Sequence, residues 1–316
     1  MTTRIQRAAQ LARLRSSQRK LPFGDTLRQL NEIKLAATIQ KKPKPSVLLV
    51  ENSSSPISVL CSNKNKQFVH DLSSLREDLE IKETFETELA TIHLLKEKFL
   101  QKNSLCSVSI RSLATHHVDD PVTSSFLAHI SSTIDFGRNS RFCSRCGAKR
   151  VAAASPFTRV CSNCGLEKYP RQSPCAIVFV HDPISDSVLV GLRPGGSPIW
   201  SLLAGFCESL ESIENCAVRE VYEESCITLD RSSVLVCVTQ PWPFFTGHFE
   251  GTSLMMGCFA ETSHSGQIPK ANVDELANVK WLPISELEHQ WKHNSALLPM
   301  KASLARYLMQ AFLDSK

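Results

Sequence analysis

Four cysteines constrain this chain more than any other feature. Cys143 and Cys146 stand two residues apart, fourteen residues follow, and Cys161 and Cys164 repeat the spacing. Gly147 and Gly165 follow the two pairs, and glycine tolerates the positive φ of a tight knuckle. Two such knuckles bring four thiolates to one tetrahedral point, the closed geometry of a structural Zn²⁺. A pair of disulfides is the rival. The other eight cysteines are Cys61, Cys106, Cys175, Cys207, Cys216, Cys226, Cys237 and Cys258. Most sit in apolar segments, where a free thiol acts as a small buried hydrophobe. That usage suits a reducing compartment and favours the metal. Arg138, Arg141, Arg145, Lys149 and Arg150 surround the site, so nucleic acid is a second candidate ligand of the ribbon.

A compact metal ribbon at 139–170 divides the 316 residues into pieces. Residues 25–138 read as a small α+β domain: a helix over 26–40, strands at 46–50 and 57–61 with a turn at 52–56, and helices over 74–102 and 122–134. Residues 171–316 alternate strands and helices. Strands are predicted at 176–180, 187–192, 200–203, 234–239, 254–259 and 279–282, and helices at 212–225, 284–292 and 301–313. That order implies an α/β/α sandwich. The fold class is therefore α+β, with the sandwich preceded by the ribbon and the small N-terminal domain.

Residues 1–24 carry Arg4, Arg7, Arg13, Arg15, Arg19 and Lys20 and no acid, which leaves the remainder close to neutral. The net charge of +5 thus belongs to the opening and not to a nucleic-acid-binding face. Such an opening has the composition of a mitochondrial transit segment, with Ile5, Ala8, Ala9 and Ala12 on one weak helical face. The alternative is a disordered basic tail on a cytoplasmic protein. No run approaches the ~18 apolar residues of a membrane span, so no membrane partner is expected.

The chemistry concentrates on the helix over 212–225. Glu220, Glu223 and Glu224 lie at i, i+3 and i+4, which stacks three carboxylates on one face. Alone, such a cluster reads as a solvated face. A hard divalent cation, Mg²⁺ or Mn²⁺, would relieve the mutual repulsion and could bridge to phosphate. The surrounding residues extend the pattern: Gly205, Glu211, Arg219, Val221 and Ile227 stand at fixed intervals around the acids. Thr239, Gln240, Pro241, Trp242, Pro243 and Phe244 follow, a proline-stiffened segment with two flat rings that reads either as a base-stacking loop or as core aromatics at a strand end.

The glutamate segment resembles the Nudix box. Ribbon, then Tyr169-Pro170-Arg171, then box, then Gln240–Phe244 resembles the NADH pyrophosphatase family of Nudix hydrolases, over roughly 141–316. The resemblance implies cleavage of NADH or NAD to nicotinamide mononucleotide and AMP, and removal of NAD caps from RNA, by a homodimer using Mg²⁺ or Mn²⁺. It implies that Glu220, Glu223, Glu224 and Glu275 hold the catalytic metals and that Glu211 and Arg219 fix the loop. It further implies that Tyr169, Ala204, Phe206, the 239–244 segment and Ala305 meet the substrate.

Four departures bear on this reading. Leu210 stands where relatives have glycine, and Cys226 takes the place of the glycine that closes the helix. A β-carbon in the left-handed region costs on the order of 1 kcal/mol. Residues 245–252 are inserted into the substrate loop, and Pro156 replaces an expected glutamate. The alternatives are therefore a Nudix hydrolase of another nucleoside diphosphate derivative, or a zinc-ribbon binding protein of weak activity.

Overall fold

The computed structural model describes residues 3–17, 46–50, 58–62, 81–86, 91–95, 105–109, 111, 121–153, 157–244, 252–264 and 266–315. They fall into two compact units. One takes in the first helix with 172–242 and 253–315. The other takes in the described residues from 46 to 171, with 243, 244 and 252.

The first unit is built on a seven-stranded sheet: β9 (Gln172–Asp182), β10 (Ser187–Leu192), β11 (Trp200–Ser201), β12 (Leu203–Phe206), β13 (Leu235–Trp242), β14 (Thr252–Glu261) and β15 (Asn278–Pro283). Its spine runs β11-β10-β9-β14-β13, with β12 pairing β9 and β15 pairing β10. Residues 175–182 of β9 are buried throughout, as a strand covered on both faces must be. Side chains alternate along it. Ile177 and Phe179 join Phe259, Leu308 and Phe312 in one cluster, while Ala176, Val178 and Val180 join Cys216, Ala217 and Val221 in another. The second cluster is the footprint of α3 (Ile213–Ser225). The first includes residues of α4 (Ile284–Lys292) and α5 (Leu304–Leu313), with Phe179 and Phe312 stacked at 4.5 Å. This is the expected sandwich.

The basic opening supplies α1 (Arg4–Ser17) to this unit. Its weak apolar face is a packing face: Ile5, Ala8, Ala9 and Ala12 are all buried in the first cluster. The small alanines let α1 lie close to α5. The Tyr307 hydroxyl donates to the Ala12 carbonyl at 2.7 Å, and Arg13 donates to the Val236 carbonyl at 2.7 Å. Arg4 pairs with Asp186 at 3.1 Å and lies over the Phe312 ring. The tail alternative fails for 4–17, because four small or apolar side chains find a surface to cover.

In the second unit β1 (Ser46–Val50), β2 (Ser58–Ser62), β3 (Ile81–Glu86), β4 (Thr91–Leu95) and β5 (Leu105–Ser109) form a sheet ordered β3-β4-β1-β2-β5. The helix expected over 74–102 is corrected here: its described portions are β3 and β4. Ile81, Thr84, Phe85, Thr91 and Ile92 favour strands, and pairing of β4 with both β1 and β3 overrides the helical spacing. The helix expected over 26–40 and the turn at 52–56 lie outside the described residues. The helix expected over 122–134 is α2 (Pro121–Asn139), which buries Leu127, Ile130 and Ile134. The ribbon adds β6 (Arg150–Ala152), β7 (Arg159–Cys161) and β8 (Glu167–Lys168).

Candidate active site

Each ribbon knuckle closes on itself. Gly147 N donates to Cys143 O at 2.9 Å and Gly165 N to Cys161 O at 3.1 Å, with φ of 72° and 69° at the two glycines. The sulfurs of Cys143, Cys146, Cys161 and Cys164 converge, with neighbours 3.4, 3.6 and 3.7 Å apart. That spacing excludes S–S bonds of ~2.05 Å. It approaches the ~3.8 Å edge of a tetrahedron with Zn–S bonds of ~2.3 Å. The Cys164 amide, donating to the Cys161 sulfur, brings that thiol down to about 6, which suits a thiolate ligand. Arg150 is not part of a basic surface: it is buried, and its Nη1 donates to the Phe142 carbonyl at 2.6 Å.

The acidic site lies in the other unit. Ser212 caps α3, accepting from the Asn215 amide at 3.3 Å, so the helix starts at the residue the sequence suggests. Cys216, Ala217 and Val221 face the sheet, and the same turn of helix carries Glu220 and Glu224 inward with them. Glu223 is half exposed. Gly205 on β12 makes room: a β-carbon there would lie 1.9 Å from the Glu220 carboxylate.

Arg219 organises the acids. It donates to Glu211 through Nε at 2.9 Å and Nη2 at 2.8 Å, to Glu220 at 2.9 Å and to Glu223 at 2.8 Å. It also donates to the Phe206 carbonyl at 2.8 Å, tying loop to helix. These bonds, Glu211's foremost, keep the guanidinium charged, and Arg219 in turn holds the Glu211 carboxyl below its ordinary range. Glu220 is pushed up by burial, with Arg219 opposing and the charges of Glu223 and Glu275 adding to the push.

Glu224 goes further. Burial, reinforced by the charges of Glu220 and Glu275, raises it to about 8. The Ala204 amide donates to its carboxylate, yet Oε2 is buried and has no partner. An orphaned carboxylate oxygen beside two further acids has the chemistry of a divalent-cation site, so these residues fit such an ion. Segment 270–275 closes the C-terminal end of α3. Lys270 N donates to Ser225 O and Asn272 N to Glu224 O, and Asn272 Nδ2 reaches Glu275 at 3.4 Å. Glu275 thereby joins the acids despite its distance in sequence. Arg193, just past β10, was missed. Its charge holds Glu224 down against burial, and no motif marks it.

Other expected residues are placed differently. Thr239 is exposed and Pro241 and Trp242 half-buried in β13, while Gln240 is fully buried and donates to the Ala302 carbonyl at 2.8 Å. Residues 239–242 thus continue a strand, with Thr239 and part of the Trp242 ring open to solvent. Phe244 is buried with Pro243 in the second unit, where Ser131 donates to the Pro243 carbonyl. Ala305, near the start of α5, is buried in the first apolar cluster. Phe206 is exposed beside Gly205. Tyr169 is exposed in the second unit, donates to Glu167, and borders a cavity of about 560 Å³ with Ser132, Arg150, Lys168 and Arg171. Pro156 and residues 245–251 of the insertion lie outside the described residues.

Comparison with known proteins agrees with this anatomy. Residues 138–169 match the NADH pyrophosphatase zinc ribbon domain and residues 171–304 the NUDIX domain. The NAD-capped RNA hydrolase of Schizosaccharomyces pombe is 31% identical over 240 residues, 68% of this chain and 61% of that protein. The NAD-capped RNA hydrolase NudC of Pseudomonas syringae pv. tomato is 34% identical over 191 residues, 60% of this chain and 62% of that one. The chain thus spans a little under two thirds of the length of these relatives. A NUDIX hydrolase from Nitrosomonas europaea superposes with a TM-score of 0.35 at 22% identity, covering 54% of this chain and 91% of that one. With the ribbon leading directly into the box-bearing sandwich, the chain belongs to the NADH pyrophosphatase family of Nudix hydrolases.

Proposed function

We propose that the protein hydrolyses the diphosphate bond of NADH or NAD, giving nicotinamide mononucleotide and AMP, and acts likewise on NAD-capped RNA. The observation that carries the hydrolytic reading is the buried, partnerless Glu224 Oε2 beside Glu220 and Glu275. Relatives 31% and 34% identical that are named NAD-capped RNA hydrolases support the substrate.

Glu220, Glu223, Glu224 and Glu275 would hold Mg²⁺ or Mn²⁺. When bound, the ion neutralises the diphosphate and lowers the pKa of the attacking water. The chain's own residues supply alignment. Arg219 aims Glu220 and Glu223 from one guanidinium, and Glu211 holds Arg219 by two bonds. Gly205 lets β12 approach Glu220, and the Ala204 amide orients Glu224. Burial of Glu220 and Glu224 keeps bulk water from the charges, so electrostatic stabilisation is strong there. Nothing in this arrangement calls for a covalent intermediate. The cavity beside Tyr169, with a buried arginine and two further cationic side chains, supports a ligand contact within its own unit.

The acid-free opening supports a mitochondrial address, and the family resemblance supports a homodimer. A second substrate reading, another nucleoside diphosphate derivative, is favoured by Gln240, whose side chain is engaged by the Ala302 carbonyl. A panel of NADH, NAD, NAD-capped RNA, ADP-ribose and a nucleotide sugar, each assayed with Mn²⁺, tests the choice. Highest kcat/KM on NADH, NAD or the capped RNA supports the first reading. Preference for the sugar or for ADP-ribose overturns it.

A further inference from the structure

We infer that Cys207, Glu211 and Cys216 form a second metal site, one that takes a thiophilic divalent ion such as Zn²⁺ and slows turnover when filled. The two thiol sulfurs and a carboxylate oxygen of Glu211 lie within 4.8 Å of one another. Local structure brings them together. Cys207 follows β12, Cys216 sits in the first turn of α3, and the loop between them carries Glu211. Cys216 is buried, and its sulfur approaches the Gly205 carbonyl at 3.7 Å. Cys207 and Glu211 are partly exposed, which leaves an entry path.

The donor set separates this site from the acids on α3. Two soft sulfurs and one oxygen select Zn²⁺ over Mg²⁺, and three protein ligands with a water complete a tetrahedron. Binding breaks two S–H bonds, forms two metal–sulfur bonds and releases two protons to solvent. No electrons move. Two protons leave as a dication arrives, so the net charge facing Arg219 does not change. That balance matters, because Arg219 Nη2 lies 3.9 Å from the Cys216 sulfur.

The consequence for the acids follows from Glu211. Both of its oxygens accept from Arg219. An oxygen given to the ion is withdrawn from Arg219, and Arg219 is the group that aims Glu220 and Glu223. A filled soft site therefore loosens the alignment of the hard one.

The test uses the full chain with its ribbon already loaded with zinc. Co²⁺ is added as the spectroscopic probe, and Zn²⁺ as the inhibitor in saturating Mg²⁺. We expect one further Co²⁺ per chain with a thiolate-to-metal charge-transfer band, and roughly tenfold loss of turnover on adding Zn²⁺. The Cys207→Ser/Cys216→Ala variant should keep its ribbon zinc and its basal activity, and lose both band and inhibition. Cys207→Ser alone carries the same test if the double variant fails to fold. A band absent from the unmodified protein, or persisting in the variants, overturns the site. The spectroscopic arm needs no turnover, so failure of the diphosphatase reading leaves it intact and separately readable.

Discussion

Gly205 is the residue at which the site leaves least latitude. Its missing side chain is the space that the Glu220 carboxylate fills. Gly205→Ala must displace that carboxylate or the strand. Misplacement of about 1 Å is enough for a roughly 100-fold loss of turnover, which steady-state kinetics would show with the fold retained by circular dichroism. Leu210 and Cys226 are the opposite case. Both hold positive φ, 66° and 58°, at positions where the resemblance to the Nudix box implies glycine, and Leu210 is fully exposed. Leu210→Gly and Cys226→Gly should each stabilise by about 1 kcal/mol, read as a higher thermal midpoint. Glu224 gives a pH signature. Its folded value of about 8 lies above the ordinary 4.5, so the folded protein keeps a proton that the unfolded chain releases between them. The stability it contributes is full below about pH 4.5 and is lost as pH rises through 8. Metal-free protein should therefore melt lower as pH rises across that window, and Glu224→Gln should flatten the slope. The box glutamates, the loop pair and both strained positions were legible through the resemblance to the Nudix box, since the spacing of the three acids alone also fits a solvated helix face. Arg193 was not, because its role comes from a fold that returns β10 beside α3.

At the level of elements, α1 changes what the basic opening means. Ile5 and three alanines fill the space beside α5, and Tyr307 binds the end of that face. Ile5→Ala should cost about 2–4 kcal/mol in equilibrium unfolding, whereas exposed Arg7→Gln should change little. An equal, negligible effect of both would show that α1 does not dock. The four-residue apolar face was visible in sequence, but its partner was not, since α5 lies almost 300 residues away. Strands β9, β10 and β15 and the box helix matched their apolar periodicity. The 74–102 segment did not: apolar residues at helical spacing in a charged stretch coexist with strand-favouring β-branched ones, and only pairing with β1 decides between them.

For the whole molecule, two kinds of ligand set divide along the chain. The four-sulfur set lies in the ribbon, and the carboxylates, with Cys207 and Cys216 beside them, lie on and next to α3 in the other compact unit. The first was readable to the residue, because a knuckle is local. The second was readable for three acids from their place on one helix and for Glu275 through the family resemblance, and the 270–275 turn is what carries Glu275 toward α3. The aromatic segment at 239–244 was legible only as a pair of readings, because prolines and rings look alike in a loop and at a strand end, and the structure adds that residues 239–242 continue β13 with Thr239 exposed and Trp242 half-buried. The account's central claim is hydrolysis of a dinucleotide diphosphate by the α3 acids. Chromatography of the products formed from NADH and Mn²⁺, with Glu224→Gln alongside, tests it most directly. The account predicts AMP and reduced nicotinamide mononucleotide from the unmodified protein and neither from Glu224→Gln. No products from the unmodified protein, or undiminished products from the variant, would contradict it.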